Sequence, residues 1–152
     1  MSATRVDFYV MDTPDPRARL VTACRLAEKA YLQGLRVAVL TSGPAETASM
    51  DDVLWTFGDR SFVPHGTWPA EPGFAAATPV LVGSGEVPES HRDVLINLAA
   101  EAPADGTGFA RICEVVAADE DAKGLARRRW RGYLDAGLAP EMHEIGTARQ
   151  ST

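Results

Sequence analysis

One stretch decides the fold of this chain: RVDFYVMDTPDPRARLVTACRLAEKAYLQGLRVAVL, residues 5 to 40. Residues 5–10 alternate apolar and polar side chains, which is typical of a strand with one buried face. Two prolines then introduce a helix that we expect to run to about Gln33, because apolar residues recur there at helical spacing. Gly34 ends the helix, and residues 35–40 form a continuous apolar strand. A strand, a helix and a second strand joined by short loops predict a parallel β-α-β unit.

The rest of the chain continues the alternation of strands and helices. We expect a helix at 46–57, an extended segment at 61–63, a loop at 64–78, strands at 79–82, 94–98 and 109–116, a loop at 103–108 before the last strand, and a basic helix after it. A loose tail is expected from residue 141 onward. The sequence thus predicts one α/β domain over residues 1–140, followed by a flexible tail at 141–152.

Length and composition limit the class of protein. A chain of 152 residues can bury a core without disulfides or metal, so we expect a single domain. Its two cysteines, Cys24 and Cys113, fall in a predicted helix and a predicted strand, which favours reduced, structural thiols. No apolar run has the length of a signal peptide core or a membrane span. We therefore expect a cytoplasmic protein that does not bind membranes.

Positive charge is concentrated between residues 119 and 138. The chain has a net charge of −6 and a pI near 5.0, yet residues 123–131 contain five cations and no acid. Asp119 and the two acids after it suit a helix N-terminus, so the helix should begin there. At 100° per residue, one face carries cations and a tryptophan. The residues predicted for this face are Lys123, Arg127, Trp130, Leu134 and, at its edge, Arg131.

The opposite face of this helix is small and apolar, which predicts that it packs against the domain. Its members are Ala122, Leu125, Ala126, Gly132, Tyr133 and Ala136. Only Arg129 interrupts the stripe, and we expect its stem to lie along the protein with the charged head in water.

The basic face has three possible interpretations. Most charge runs are simply solvated surface. Binding along nucleic-acid phosphates is disfavoured, because the chain is acidic and has no other basic cluster. An acidic peptide fits better, since cations can hold carboxylates while Trp130 holds an apolar side chain.

A second candidate surface is aromatic. Trp55, Phe57 and Phe62 lie within eight residues, from the end of a predicted helix into a predicted extended segment. At least one of them should belong to the core. A helix end and a short proline-bounded strand usually lie at the rim of a domain, so the others predict a protein-binding patch.

Sequence signatures of catalysis or cofactor binding are missing. The first strand leads into Met11-Asp12-Thr13-Pro14 without a glycine-rich phosphate loop, and residues 83–85 (GSG) are interpreted as a turn. Residues 91–93 (HRD) match a kinase catalytic loop only superficially, because Asn97 comes one residue too early and the other kinase motifs are absent. His65 and His143 have no metal-ligand companion nearby in the sequence. We expect no catalytic residue, cofactor or metal.

Several segments together resemble the chi subunit family of bacterial DNA polymerase III. They are the opening strand with Phe8 and Tyr9, the LW…SFVPH segment from residue 54, RDVLINL from residue 92, and the final strand and helix, EVV…LAR…WR, from residue 114. The resemblance covers nearly the whole chain. It implies a single Rossmann-like three-layer domain, with a mostly parallel central sheet, helices on both faces and no nucleotide-binding glycine loop. It also implies a non-catalytic accessory subunit of the clamp loader.

The resemblance further implies two protein-binding surfaces. One would bind the acidic C-terminal tail of single-stranded DNA-binding protein, through Val116, Lys123, Arg127, Trp130 and Arg131. The other, at Trp55 and Phe62, would bind the psi subunit, and a repair helicase competes for that surface in some members.

The leading hypothesis is therefore a replisome adaptor that binds no nucleic acid directly. The competing hypothesis is a Rossmann-like enzyme that uses a small nucleotide or a methyl-donor cofactor, which the missing glycine loop disfavours.

Overall fold

The computed structural model describes residues 4–58, 62–103 and 106–146 of the chain. The strands are β1 (Arg5–Met11), β2 (Val37–Leu40), β3 (His65–Thr67), β4 (Val80–Gly83), β5 (Val94–Asn97), β6 (Arg111–Val116) and β7 (Glu141–Ile145). The helices are α1 (Pro16–Leu32), α2 (Pro44–Thr56), α3 (Pro72–Ala77) and α4 (Glu120–Asp135), with a 3-10 turn at Gly106–Gly108.

The strands form one seven-stranded sheet in the order β3-β4-β2-β5-β6-β1-β7. Every pairing within it is parallel. The predicted Rossmann-like three-layer α/β domain is confirmed, and the sheet is wholly rather than mostly parallel. No helix in the described ranges is long and apolar enough to cross a bilayer.

The opening unit forms as its sequence predicts. The Asp15 side chain accepts a hydrogen bond of 3.0 Å from the backbone N–H of Arg17, which caps α1, and Pro16 occupies the first helical position. Gly34, with φ of +78°, takes the left-handed conformation that ends the helix and turns the chain into β2. β1, α1 and β2 lie within a few residues of their predicted bounds.

Each face of the sheet buries its own apolar cluster. On one face, α1 and α2 pack against residues such as Val39, Ile96 and Val115. On the other, α4 packs against Phe8 and Ile112. The inner strands β2, β4 and β5 are buried along their whole length, and their continuous apolar runs are what a parallel sheet covered on both faces requires.

The two cysteines are buried and not disulfide-bonded, as predicted. Burial raises the pKa of Cys24 and of Cys113 to about 12, so both thiols stay protonated at neutral pH. Both side chains belong to the cluster beneath α1 and α2. Their role is packing.

The predictions for residues 61–78 were wrong in part. The strand of this region is β3, which begins after Pro64, and the predicted loop contains both β3 and α3. Residue 61 lies outside the described residues, whereas Phe62 and Val63 precede the strand. β3 forms because His65 pairs with Val80 of β4, a partner remote in sequence that local patterns do not reveal.

The prediction of a flexible tail from residue 141 was also wrong for its first part. Glu141–Ile145 forms β7, which pairs with β1 and closes one edge of the sheet. His143 anchors the strand, since its Nε2 lies 2.8 Å from Asp7 Oδ1 and its ring stacks on Tyr9 with centroids 5.1 Å apart. Residues 147–152 of the predicted tail lie outside the described residues.

His91, from the HRD sequence, is a structural residue in the connection between β4 and β5. Its side chain is fully buried, Nε2 donates to the Thr78 carbonyl, and Nδ1 lies 2.7 Å from the Ser90 hydroxyl. Desolvation lowers the pKa of His91, so the folded protein holds the neutral imidazole.

This burial predicts a pH dependence of stability. Because the pKa of His91 is lower in the folded than in the unfolded chain, its contribution is complete above the unfolded value near 6.5 and is lost as the pH falls from there through the lower folded pKa. We expect the free energy of unfolding to fall between about pH 7.5 and 5, with a smaller slope in His91→Gln. Urea unfolding at several pH values measures both slopes, and equal slopes would refute this role of His91.

Candidate protein-binding groove

A groove of about 620 Å³ lies between α4 and the neighbouring edge of the sheet. Its floor is apolar and consists of Phe8 and Val10 on β1 and Val116 at the end of β6. Val116 is only 2% exposed, so it can offer a ligand no more than a small apolar contact. The groove therefore has a firm base on the central strands and two walls, one from α4 and one from β7.

The wall from α4 brings together the cationic face predicted from the sequence. The helix begins as expected, because the Asp119 side chain accepts a hydrogen bond of 3.0 Å from the backbone N–H of Ala122. From that start, the predicted face points into the groove. Its lining residues include Lys123, Arg127, Trp130, Arg131 and Leu134.

Trp130 is half-buried, because it packs on the floor. Its ring centroid lies 5.0 Å from that of Phe8, with the two planes tilted by 56°. Aromatic side chains held in this way present a rigid apolar surface at low entropic cost. The wall thus combines a packed aromatic surface with three cationic side chains.

The opposite face of α4 differs from its prediction. Ala126 and Tyr133 are buried against the sheet, as expected. Leu125, Gly132 and Ala136 are exposed, so the packed stripe is narrower than predicted.

Arg129 was placed wrongly, because its charged head is buried rather than in water. The side chain is 6% exposed, its Nε donates to Glu114 Oε1 at 2.9 Å, and an Nη donates to the Ala100 carbonyl at 2.9 Å. Glu114 is fully buried and also accepts from Tyr133 Oη at 2.6 Å and Asn97 Nδ2 at 3.0 Å. Burial and the neighbouring carboxylate raise the pKa of Tyr133. This network fastens α4 to the sheet.

The wall from β7 was missed by the sequence prediction. Met142 and Glu144 line the groove, whereas His143 between them points to the other face of the sheet. The segment EMHEI is short and mostly polar, so its sequence contains little strand signal. The placement of Met142 between two polar neighbours, Glu141 and His143, is the one feature that could have suggested a strand edge.

Trp55 and Phe62 form the second predicted surface, called here the aromatic patch. They are 58% and 64% exposed, and their ring centroids lie 6.2 Å apart. The His65 ring lies 4.6 Å from Trp55, with Nδ1 2.7 Å from the Val63 carbonyl. Phe57 is buried, which confirms that at least one of the three aromatics belongs to the core. The patch lies beside β3, at the edge of the sheet opposite β7.

The crevice at the carboxyl ends of the strands, where α/β folds commonly hold ligands, contains Arg19. Its Nε donates to the Val115 carbonyl at 3.2 Å and an Nη to the Leu98 carbonyl at 2.6 Å, while Glu46 lies 3.3 Å away. Burial lowers the pKa of Arg19. A side chain from α1 thus satisfies the backbone groups at the ends of β5 and β6.

The chain turns at Ser84 and Gly85 of the GSG segment, as interpreted, and Gly83 is the last residue of β4. Gly85 has φ of +80°, and the Trp68 indole packs so closely on Gly83 that an added Cβ would lie 2.5 Å from the ring. Trp68 Nε1 donates to the Ser84 carbonyl at 3.0 Å. Gly83 makes room for the tryptophan, whereas Gly85 provides the left-handed backbone conformation of the turn.

Asp7, Glu141 and His143 place their ligand atoms within 4.8 Å of one another, although they are distant in the sequence. Arg5 and Arg111 lie 2.9 and 3.0 Å from Asp7 Oδ2 and would repel a cation. Burial opposes ionisation of Asp7, but the hydrogen bonds from His143 and Arg111 leave its pKa lowered overall. Asp7 and His143 anchor β7, and the exposed Glu141 lies beside them.

Comparisons with known proteins agree on one family. Residues 3–141 match the family model described as DNA polymerase III chi subunit, HolC. The chain is 41% identical to the DNA polymerase III subunit chi of Pseudomonas aeruginosa, over 93% of this chain and 97% of that protein. The subunits of the same name from Escherichia coli and Haemophilus influenzae are 30% and 28% identical, over 76% and 95% of this chain and 78% and 99% of theirs.

Proposed function

The chain belongs to the DNA polymerase III chi subunit family and is thus an accessory protein of DNA replication, and we propose that it works as an adaptor within that machinery. In this proposal the groove binds the acidic C-terminal tail of single-stranded DNA-binding protein. The aromatic patch binds the psi subunit of the clamp loader or an equivalent partner, and a repair helicase could use the same patch. Such a role needs no catalytic residue, cofactor or metal, and it belongs in the cytoplasm.

The observation that carries the proposal is the charge and shape of the groove. Lys123, Arg127 and Arg131 line the same wall as the half-buried Trp130 in a chain whose net charge is −6. Cations on flexible stems can pair with several carboxylates of an extended peptide, while the indole offers an apolar contact. A negatively charged tail therefore complements this wall.

The position of the two surfaces supports a linking role. One wall of the groove is β7 and the aromatic patch lies beside β3, so the two surfaces lie toward opposite edges of the sheet. Two partners can therefore approach from opposite edges of the sheet. Linking two modest contacts raises the effective concentration of one partner near the other, so moderate affinity at the groove suffices.

The direct test is titration of the purified protein with a peptide of that tail, followed by tryptophan fluorescence. Trp130 lies in the groove and should report binding, whereas Trp68 is buried and Trp55 belongs to the aromatic patch. A peptide in which the corresponding amide replaces each acidic side chain is the matched control and should bind far more weakly. Equal affinity for both peptides would refute the charge-based groove.

Salt gives a second measurement of the same contact. Because the cations of the groove wall are solvent-accessible, we expect the dissociation constant to rise roughly tenfold between low salt and about 0.3 M salt. Isothermal titration calorimetry at several ionic strengths measures this slope. Salt-insensitive binding would mean that the peptide is held by apolar contacts alone.

A further inference from the structure

We propose that Glu144 is a specificity-determining residue of the groove, an inference that rests on the proposed binding of an acidic peptide there. Its carboxylate lies in the wall opposite the α4 cations. We infer that it disfavours negative charge on the β7 side of a bound peptide and so confines the acidic side chains to the α4 side.

The placement of Glu144 follows from the topology. β7 pairs with β1 so that Glu144 lies beside Val10, and Val10 in turn lies beside Val116 at the carboxyl end of the sheet. α4 connects two parallel strands and therefore runs antiparallel to them, so its first turns lie at this same end. Lys123 and Arg127 are thus at the same end of the groove as Glu144, and all three line it.

The neighbouring residue, His143, holds Glu144 at this position in the groove. His143 docks on the other face of the sheet, against Asp7 and the ring of Tyr9, which fixes the register of β7 against β1. Glu144 itself is exposed. Within the described part of the chain, no ion pair joins Glu144 to Lys123, Arg127 or Arg131. The cations therefore remain available to a ligand.

Because the two facing walls carry opposite charges, the groove favours peptides whose acidic side chains face α4. A peptide carboxylate near α4 is attracted by two cations, but one turned toward β7 is repelled by the like charge of Glu144. A neutral side chain or a backbone N–H group suits the β7 side, because the Glu144 carboxylate can accept its hydrogen bond. Glu144 thus lowers affinity for peptides that are acidic on both sides more than for peptides that are acidic on one.

The test compares Glu144→Gln with Glu141→Gln. Both variants remove one negative charge from β7, but Glu141 faces away from the groove, as His143 does. With a fluorescein-labelled peptide of the acidic tail at low salt, we expect Glu144→Gln to bind about three- to tenfold more tightly than wild type, and Glu141→Gln to stay within about twofold. The advantage of Glu144→Gln should shrink as salt rises.

A peptide series makes the assignment specific. Each acidic residue of the peptide is replaced in turn by its amide, and every peptide is measured against wild type and Glu144→Gln. The gain in affinity from Glu144→Gln should disappear for the peptide that lacks the carboxylate nearest β7. A general effect of net charge would not produce this selective loss. A gain that is uniform across the series, or equal in Glu141→Gln, overturns the inference.

The same experiment separates this inference from the proposed function. If wild type binds the peptide and Arg127→Ala weakens it, while Glu144→Gln and Glu141→Gln behave alike, the groove is the binding site and Glu144 has no specificity role. If no variant binds the peptide at low salt, the proposed function fails and this inference fails with it.

Discussion

Arg129→Leu should lower the free energy of unfolding by about 3–5 kcal/mol, the largest stability effect we expect from a single substitution in α4. The substitution leaves the Glu114 carboxylate fully buried without its cation, since the Arg129 guanidinium donates to it at 2.9 Å. It also leaves the Ala100 carbonyl without its donor. Urea unfolding followed by circular dichroism measures the loss.

The neighbouring residue gives a matched control. Arg128 is exposed and does not line the groove, so Arg128→Leu removes the same charge and should change stability by no more than about 0.5 kcal/mol. The double variant Arg129→Leu with Glu114→Leu should recover part of the loss, because an apolar pair of similar size often replaces a buried ion pair at little cost. Equal stability of Arg129→Leu and Arg128→Leu would show that the buried pair contributes nothing.

Trp130→Ala should weaken binding of the acidic tail by roughly 30-fold or more, which corresponds to about 2 kcal/mol. The indole supplies the rigid apolar surface of the groove, and its removal also exposes the Phe8 ring on which it packs. Arg127→Ala should weaken binding by about tenfold, since it removes one charge-assisted contact. Isothermal titration calorimetry with the tail peptide measures the dissociation constants of both variants.

Two controls separate lost contacts from lost structure. Trp130→Tyr keeps an aromatic wall against Phe8 and should retain most of the affinity. Arg128→Ala removes a cation from the same helix outside the groove and should bind like wild type. Circular dichroism should show an intact fold for every variant. Unchanged affinity in both Trp130→Ala and Arg127→Ala would show that the groove is not the binding site of the peptide.

The groove shows which structural features the local sequence pattern predicts and which it does not. The face of α4 was predictable, because helical geometry alone places Lys123, Arg127 and Trp130 on one side. Arg129 was not, since its partner Glu114 lies on another element and only the packed structure brings a carboxylate beneath it. Likewise, the exposure of Leu125 depends on how α4 sits on the sheet, which its own periodicity does not specify.

The sequence by itself determined the β1-α1-β2 opening, the parallel α/β class and the cationic face of α4. These features depend on local periodicity, helix caps and turn residues, all of which act over a few neighbouring positions. Only the tertiary structure decided that residues 141–145 form an edge strand, because that strand exists through pairing with β1, far away in the chain. The same pairing brings Met142 and Glu144 opposite α4, so half of the groove is created by a contact between distant residues.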